Sequence, residues 1–423
     1  MIELPGPTPL FNPLTAPVDQ PLTVWEILAS PFGLVAFLPL AVLLRYAGRR
    51  WGHAAVLSLA AVWMVGTAGP LTTLVVALWC LLGVLWVRWL ALRRASGALS
   101  RRAMVGLVWG GLGLLLLPFW YKAQWDFYGW QPSRLALLHN VGLAYFFLRL
   151  VAWGVDLARA PDARHDRLLT ASWLAYPACM RLGPVMLRQD FAERFARWRG
   201  GAGWRWGELA RRGGLLLLGG FLLAVVLKNT PHPPSGGPDF FAAPQAYETR
   251  YLVRLFYFVP IQVYLLLWTY NELAAVAGLL AGLEVDNNFD HLPLASSVRD
   301  FWRRWHVTVG KWLRDYIYVP LGGNRGLVPL HYAVVFGFCA LWHGAAWSFV
   351  AWAASQVLAL SVQRGWDGLR RKAGWQQRPR GLWWRVVCWL LTMHYQLATI
   401  VVFVDFEYCG WRFLRELLQR LAG

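Results

Sequence analysis

Long apolar runs separated by short arginine-rich loops constrain this chain more than any other feature. Of its 423 residues, 57% are hydrophobic and 15% are charged, and the mean hydropathy is +0.40, which is unlike ordinary soluble domains. Several runs approach the roughly 20 residues that cross a bilayer as a helix, whereas a membrane barrel needs alternating strands of about ten residues. The sequence therefore predicts an all-α, polytopic transmembrane bundle of about 9–11 spans with re-entrant and interfacial amphipathic helices.

The distribution of charge decides between two kinds of partner. The net charge is +19, from 41 Lys and Arg against 22 Asp and Glu, which in a soluble protein would favour nucleic-acid binding. Here the basic residues fall mostly in the loops between apolar runs, as expected for the cytoplasmic loops of a membrane protein. We therefore predict that the chain contacts the lipid bilayer and its anionic headgroups, and that it does not bind nucleic acid.

The same charges predict an orientation. Residues 1–44 contain no Lys or Arg, whereas Arg45, Arg49 and Arg50 follow directly, so the N-terminus is predicted to be periplasmic and the first span to run inward across the inner membrane. Further spans are predicted at residues 53–67, 72–92, 103–120, 135–158, 213–228, 249–283 and 386–404. The last of these is predicted to end the bundle.

Segment 168–187 is apolar, but basic residues flank it on both sides. A re-entrant helix pair fits this better than a full span, because protein can bury irregular backbone at membrane depth. No linker separates soluble domains, so residues 1–423 are predicted to form a single membrane domain. Its sections are N-terminal helices (1–165), middle helices (166–290) and a catalytic core (291–423).

Residues 300–318 combine tryptophans with charged residues. Drawn as a helix at about 100° per residue, the rings fall on one face and the charges on the other. The apolar face holds Trp302, Trp305, Val309, Trp312, Leu313 and Tyr316; the charged face holds Asp300, Arg303, Arg304, Lys311, Arg314 and Asp315. We predict one interfacial amphipathic helix. The charged face either lies on the membrane surface or attracts an anionic donor. His306 falls on the apolar side, where it either packs against the tryptophans or lines a site.

His343 lies in the middle of the apolar run 331–365. Two short helices meeting near Gly344 would keep the basic loop 364–385 inside. An ionisable residue at membrane depth usually faces a cavity or a relay, although a lone histidine also serves as a hydrogen-bonding contact between helices. Imidazole titrates near neutral pH, so it can take a proton from an alcohol that attacks an acyl carbonyl.

Other chemistries have little support in the sequence. It contains no Gly-x-Ser-x-Gly, Walker or His-Glu-x-x-His motif. The five cysteines form no Cys-x-x-Cys pair, so neither a metal site nor a disulfide framework is predicted. Asp286 and Asp290 lie beside Asn287, Asn288 and Pro293, which is typical of a solvated loop.

Four ordered motifs carry a resemblance to a known family. They are Phe-Trp-Arg-Arg-Trp-His at 301–306, Trp-Leu-Arg-Asp-Tyr at 312–316, Pro-Leu-Gly-Gly-Asn-Arg at 320–325 and Trp-His-Gly at 342–344. Together they resemble the bacterial membrane-bound O-acyltransferases, closest to the type of the alginate O-acetylation membrane subunit. So many matches over about fifty residues are far more specific than one short motif.

The resemblance implies a central cavity between a cytoplasmic acyl donor and an extracytoplasmic acceptor, with His343 and His306 as catalytic residues. The expected substrate-binding residues are Trp302, Arg303, Arg304, Trp305, Arg314, Asp315, Asn324 and Trp342. No bound cofactor is implied; acetyl-CoA or an acyl carrier protein would be the co-substrate.

The expected activity is O-acetylation of an exported polysaccharide or envelope glycan, with a periplasmic acyltransferase as partner. Two alternatives stay open. One is D-alanyl transfer to teichoic acid, and the other is a non-enzymatic lipid or sugar transporter or scaffold.

Overall fold

The computed structural model describes residues 31–128, 143–160, 166–201, 203–231, 240–344, 346–374, 381–405 and 410–422. Every regular element in these ranges is a helix, which confirms the all-α prediction. The predicted periplasmic N-terminus and the first part of the predicted span at 135–158 lie outside the described residues.

The N-terminal helices follow the apolar runs closely. They are α1 (Phe37–Trp51), α2 (His53–Ala68), α3 (Pro70–Ala95), α4 (Arg101–Tyr128) and α5 (Leu143–Arg159). The break between α2 and α3 falls at Gly69, where φ is +80°. Pro70 then opens α3, because the first position of a helix needs no N–H donor.

The middle helices correct one prediction. They are α6 (Arg167–Leu174), α7 (Arg188–Arg199), α8 (Trp206–Asn229) and α9 (Thr249–Ala281). Between α6 and α7 the chain forms only a 3₁₀ turn at Pro177–Cys179, so the predicted helix pair at 168–187 is wrong in its second half.

The irregular chain after α6 is held by surrounding protein. The buried guanidinium of Arg149 donates to the carbonyls of Trp173 (2.9 Å) and Leu174 (3.2 Å) at the end of α6. Tyr270 on α9 donates to the carbonyl of Met180 at 2.8 Å. Irregular backbone within a membrane protein needs partners of this kind, because lipid supplies none.

The C-terminal section contains one helix that was not predicted. Its helices are α10 (Val298–Arg304), α11 (Val307–Leu313), α12 (Val328–His343), α13 (Trp347–Lys372), α14 (Leu382–Val404) and α15 (Trp411–Ala422). The predicted last span at 386–404 is confirmed as α14, which is long and apolar enough to cross a membrane, and the 12-residue helix α15 follows it. Phe413 and Leu417 of α15 are buried in a cluster with Leu252 and Leu255 of α9.

Four helices of the described ranges, α3, α8, α9 and α14, are long and apolar enough to cross a membrane, and shorter apolar helices accompany them. Helix α9 has 33 residues and continues through Pro260. The chain is a multi-pass membrane protein, and the total of about 9–11 spans stays a prediction.

The predicted single amphipathic helix at 300–318 is wrong. The structure divides it into α10, α11 and a π-helical turn at Arg314–Tyr318. His306 stands at the first break with φ +44° and ψ +51°. The backbone N–H of Val307 there donates to the carbonyl of Asn288 at 2.9 Å, so a distant loop replaces the helical partner. The helical-wheel angles therefore do not hold across His306.

The predicted break near Gly344 is confirmed. Helix α12 ends at His343, and Gly344 has a φ of +154°, which residues with side chains rarely adopt. Helix α12 begins after the turn at 320–325, whose Asn324 carbonyl accepts a hydrogen bond from Arg364 of α13 at 3.4 Å, and α13 ends in Arg370, Arg371 and Lys372. Both outer ends therefore lie on the basic side of the bundle, the side predicted to be cytoplasmic. The 16 residues of α12 place His343 about 23 Å along the helix from that side.

Candidate functional site

Both predicted catalytic histidines stand where a helix is interrupted. His343 is the last residue of α12, and His306 lies between α10 and α11. His306 and Gly344 hold backbone conformations with positive φ. For a residue with a side chain, such as His306, this conformation costs free energy, and such strain concentrates at functional positions. Glycine adopts it readily.

An aromatic cage encloses His343. Its ring centroid lies 4.9 Å from Phe403, 4.9 Å from Trp342, 5.8 Å from Phe349 and 6.0 Å from Trp352. These rings come from α12, α13 and α14, so the cage forms only when the three helices pack together. A partly buried imidazole in such a cage is shielded from bulk water.

His306 is surrounded differently. Its ring lies 5.4 Å from Phe289 and 5.4 Å from Trp305, measured between centroids. Its Nδ1 atom lies 3.2 Å from the amide nitrogen of Asn288. Burial lowers the pKa of His306 to about 4, so this imidazole is neutral at pH 7.

A chain of aromatic contacts joins the two histidines. The ring centroids are 5.4 Å apart for His306–Trp305, 5.5 Å for Trp305–Phe301, 5.6 Å for Phe301–Trp302, 5.8 Å for Trp302–Trp352 and 6.0 Å for Trp352–His343. The predicted site residues Trp302, Trp305, Trp342, His306 and His343 therefore belong to one aromatic cluster.

A buried polar network fixes the middle of this cluster. Gln356 is fully buried, and its Oε1 atom accepts the indole N–H of Trp302 at 3.1 Å. Its amide nitrogen donates to Thr399 at 3.1 Å and lies 3.4 Å from the side-chain oxygen of Gln396. The network links α10, α13 and α14. Polar networks of this kind specify one arrangement when their members are satisfied.

Replacing Gln356 with leucine is expected to lower the free energy of unfolding by about 1–3 kcal/mol, because it leaves the indole N–H of Trp302 buried without a partner. The matched control is Gln363→Leu in the same helix, since Gln363 only accepts the backbone N–H of Arg299 in an exposed contact. Denaturation followed by tryptophan fluorescence measures both. Equal midpoints for the two variants would contradict a role of the network in stability.

The predicted charged residues pair with one another. Arg303 donates to Asp300 at 2.8 Å, and Arg304 contacts the same carboxylate at 3.2 Å. Although desolvation opposes it, hydrogen bonds from Arg303, the backbone of Ser296 and Arg304 lower the pKa of Asp300. Arg314 donates to Asp315 at 2.7 Å.

Asn324 and the charged side chains lie apart from the aromatic cluster. Asn324 accepts the hydroxyl of Tyr318 at 2.8 Å. Within the described residues, no contact joins Arg303, Arg314 or Asn324 to either histidine. The structure thus divides the predicted set into an aromatic centre and a charged surface on the basic side.

Sequence reasoning missed Asn288, Gln356 and Phe403. The interpretation of 286–293 as a solvated loop is wrong for Asn288, which is fully buried. It holds for Asp290, whose side chain is 63% exposed. Asp286 is partly exposed and pairs with Arg194. No sequence pattern distinguishes Asn288 from the adjacent Asn287, because the side chain that Asn288 contacts, His306, lies 18 positions away in the sequence.

Comparison with known proteins gives a family match that covers this region of the chain. The family model described as "MBOAT, membrane-bound O-acyltransferase family" matches residues 215–404, a range that contains both histidines and the break at Gly344. A peptidoglycan O-acetyltransferase of Helicobacter pylori is 32% identical over 178 residues, which cover 41% of this chain and 32% of that protein.

Two further relatives differ in the acyl group that their names imply. A probable alginate O-acetylase of Pseudomonas aeruginosa is 28% identical over 294 residues, covering 65% of this chain and 55% of that protein. A teichoic acid D-alanyltransferase of Streptococcus thermophilus is 23% identical over 154 residues, covering 32% and 37% respectively. The matches therefore span about half of these curated relatives or less.

Proposed function

Because this chain belongs to the membrane-bound O-acyltransferase family, with the matched domain at residues 215–404, we propose that it is an O-acyltransferase that moves acetyl groups across the membrane. The donor is a cytoplasmic acyl thioester, either acetyl-CoA or an acyl carrier protein. The acceptor is a hydroxyl of an exported polysaccharide or a cell-envelope glycan, reached directly or through a periplasmic acyltransferase partner.

The observation that carries this proposal is the position of His343. It ends a helix about 23 Å from the basic side and lies inside an aromatic cage. In the proposed step, His343 accepts the proton of the attacking hydroxyl as its oxygen bonds to the acyl carbon. The carbon–sulfur bond then breaks, and the proton passes from His343 to the departing thiolate. The products are an ester and a free thiol.

The charged surface on the basic side supports entry of an anionic donor there. Arg303 and Arg314 are exposed, and their fork-shaped guanidinium groups suit phosphate oxygens of CoA or of a phosphopantetheine arm. Their carboxylate partners Asp300 and Asp315 keep the fork oriented while no donor is bound. We propose that the protein resides in the inner membrane. This charged surface would then face the cytoplasm, and the N-terminus would face the periplasm.

The experiment compares the envelope polysaccharide of a strain lacking this protein with that of the same strain carrying it, scored for ester-linked acetate by NMR after mild alkaline release. Purified protein in proteoliposomes is tested in parallel for thiol release from acetyl-CoA and from an acetylated carrier protein. Acetate that depends on the protein, with thiol release from one donor, is the expected result.

Ester-linked D-alanine in place of acetate would replace the proposal with D-alanyl transfer, which the Streptococcus thermophilus relative favours. Export of the glycan that depends on the protein, with no ester of either kind and no thiol release, would refute acyl transfer and favour a transporter. The two donor assays decide between CoA and a carrier protein.

A further inference from the structure

The contacts of Asn288 determine which nitrogen of His306 carries its proton. We propose that Asn288 is a positioning residue that holds His306 as the Nε2–H tautomer, so that His306 serves as a hydrogen-bond donor while His343 serves as the base. The roles given to the two histidines rest on the proposed acyl transfer. The tautomer itself follows from hydrogen bonds alone.

The first step is the orientation of the Asn288 amide. Its Oδ1 atom accepts the backbone N–H of Thr308 at 3.0 Å and the hydroxyl of Thr308 at 2.8 Å. A backbone N–H can only donate, so the atom that faces it must be the oxygen. The other end of the amide, which faces His306, is therefore the NH₂ group.

The second step is the tautomer. The amide nitrogen of Asn288 lies 3.2 Å from Nδ1 of His306. An NH₂ group is a donor, so Nδ1 must offer its lone pair, and a neutral imidazole then carries its proton on Nε2. A proton on Nδ1 would place two donors face to face. Burial lowers the pKa of His306 to about 4, so the ring is neutral and carries a single proton at pH 7.

The surroundings make this arrangement rigid. Asn288 is fully buried, and Thr308 is 8% exposed. The oxygen of Thr308 also accepts the backbone N–H of Val185 at 3.0 Å, so its hydroxyl hydrogen points to Asn288. The side chain of Thr308 at the start of α11 is thus bonded both to Asn288 in the loop before α10 and to the irregular chain after α6. The backbone N–H of Val307, directly after the positive-φ residue His306, donates to the carbonyl of the same Asn288.

The consequence is a division of roles between the two histidines. No described residue forms a hydrogen bond with Nε2 of His306, so its N–H is available for a ligand. Its other nitrogen is occupied, so neutral His306 has no free lone pair with which to remove a proton. An N–H at this position can stabilise the carbonyl oxygen as negative charge develops on it. Removal of the proton from the acceptor then falls to His343.

The decisive variant is Asn288→Asp. It keeps the shape of the side chain and the oxygen that accepts from Thr308, but it replaces the NH₂ donor that faces Nδ1 of His306 with an acceptor oxygen. The carboxylate draws the proton of neutral His306 to Nδ1 and leaves a lone pair at Nε2. A neighbouring carboxylate raises a histidine pKa by about 1–3, so the assay is run at about pH 8, where the ring is neutral. We expect kcat to fall by about 10²–10³-fold, as for loss of one oxyanion donor, with little change in KM.

The matched control is Asn287→Asp. Asn287 is the adjacent residue, is exposed, and uses its side chain only within the loop, toward Phe289. It introduces the same charge without touching His306, so it is expected to keep wild-type kcat within about twofold. Equal losses in both variants would overturn the proposal, since added charge alone would then account for the effect.

A spectroscopic measurement tests the tautomer without any assay of activity. ¹⁵N-histidine spectra of the wild-type protein, with the His306 signal identified by its loss in His306→Gln, should show Nε2 protonated and Nδ1 unprotonated. The pattern should reverse in Asn288→Asp. A protonated Nδ1 in the wild type would refute the assignment of Asn288 even if acyl transfer is confirmed. The expected pattern in a protein without acyl transfer would refute only the proposed function.

Discussion

Replacing His343 with alanine is expected to lower acyl transfer by about 10²–10⁴-fold, the usual contribution of a general base. The imidazole is the proposed acceptor of the proton from the attacking hydroxyl, and the rings that surround it cannot replace that function. The measurements are thiol release from the acyl donor in proteoliposomes and ester-linked acetate in the polysaccharide of the complemented strain.

The control for this variant is a second histidine within a membrane helix. His394 on α14 contacts the hydroxyl of Tyr257 at 3.0 Å and lies outside the aromatic cluster. His394→Ala is therefore expected to retain activity. Normal acylation by a correctly inserted His343→Ala protein would exclude His343 from the mechanism, and loss of activity in both variants would indicate a general effect on folding.

Replacing Arg212 with methionine is expected to produce the largest loss of stability. Arg212 on α8 donates to both carboxylate oxygens of Glu272 on α9, at 2.9 and 3.0 Å, and the side chain of Glu272 is 3% exposed. Removing the cation leaves an uncompensated buried charge, which costs about 3–5 kcal/mol. The midpoint of thermal unfolding in detergent, followed by tryptophan fluorescence, measures the loss.

Two comparisons make this prediction specific. Arg211→Met removes the neighbouring cation, whose side chain is 52% exposed and which pairs with Glu208, so its effect should stay below about 0.5 kcal/mol. The double variant Arg212→Met with Glu272→Met should recover most of the stability, because it removes both charges and keeps the volume. A double variant as unstable as Arg212→Met alone would show that packing, and not charge, accounts for the loss.

The membrane character, most helix positions and both histidines were predictable because they depend on local composition. Apolar length predicts spans whatever their neighbours are. Gly344 follows His343, and glycine readily adopts the positive-φ conformation that the break there needs. The charge pattern required the outer ends of α12 and α13 to lie on one side, and the contact between Arg364 and Asn324 agrees.

The single amphipathic helix through His306 failed for a physical reason. A helical wheel assumes that each N–H bonds to the carbonyl four residues earlier. The N–H of Val307 instead bonds to Asn288, which lies on a loop before α10. A hydrogen-bond partner so far away in the sequence does not alter the spacing of apolar residues. The break and the left-handed conformation of His306 therefore could not be predicted.

The sequence by itself determined a helical membrane protein, the family motifs and the two candidate histidines. Only the tertiary structure decided how those residues are used. The aromatic cage of His343 requires Phe403 from α14, and the tautomer of His306 requires Asn288 from a distant loop. Hydrogen bonds and ring contacts act over a few ångströms and can join residues that are far apart in the sequence. They therefore form only when the helices have packed.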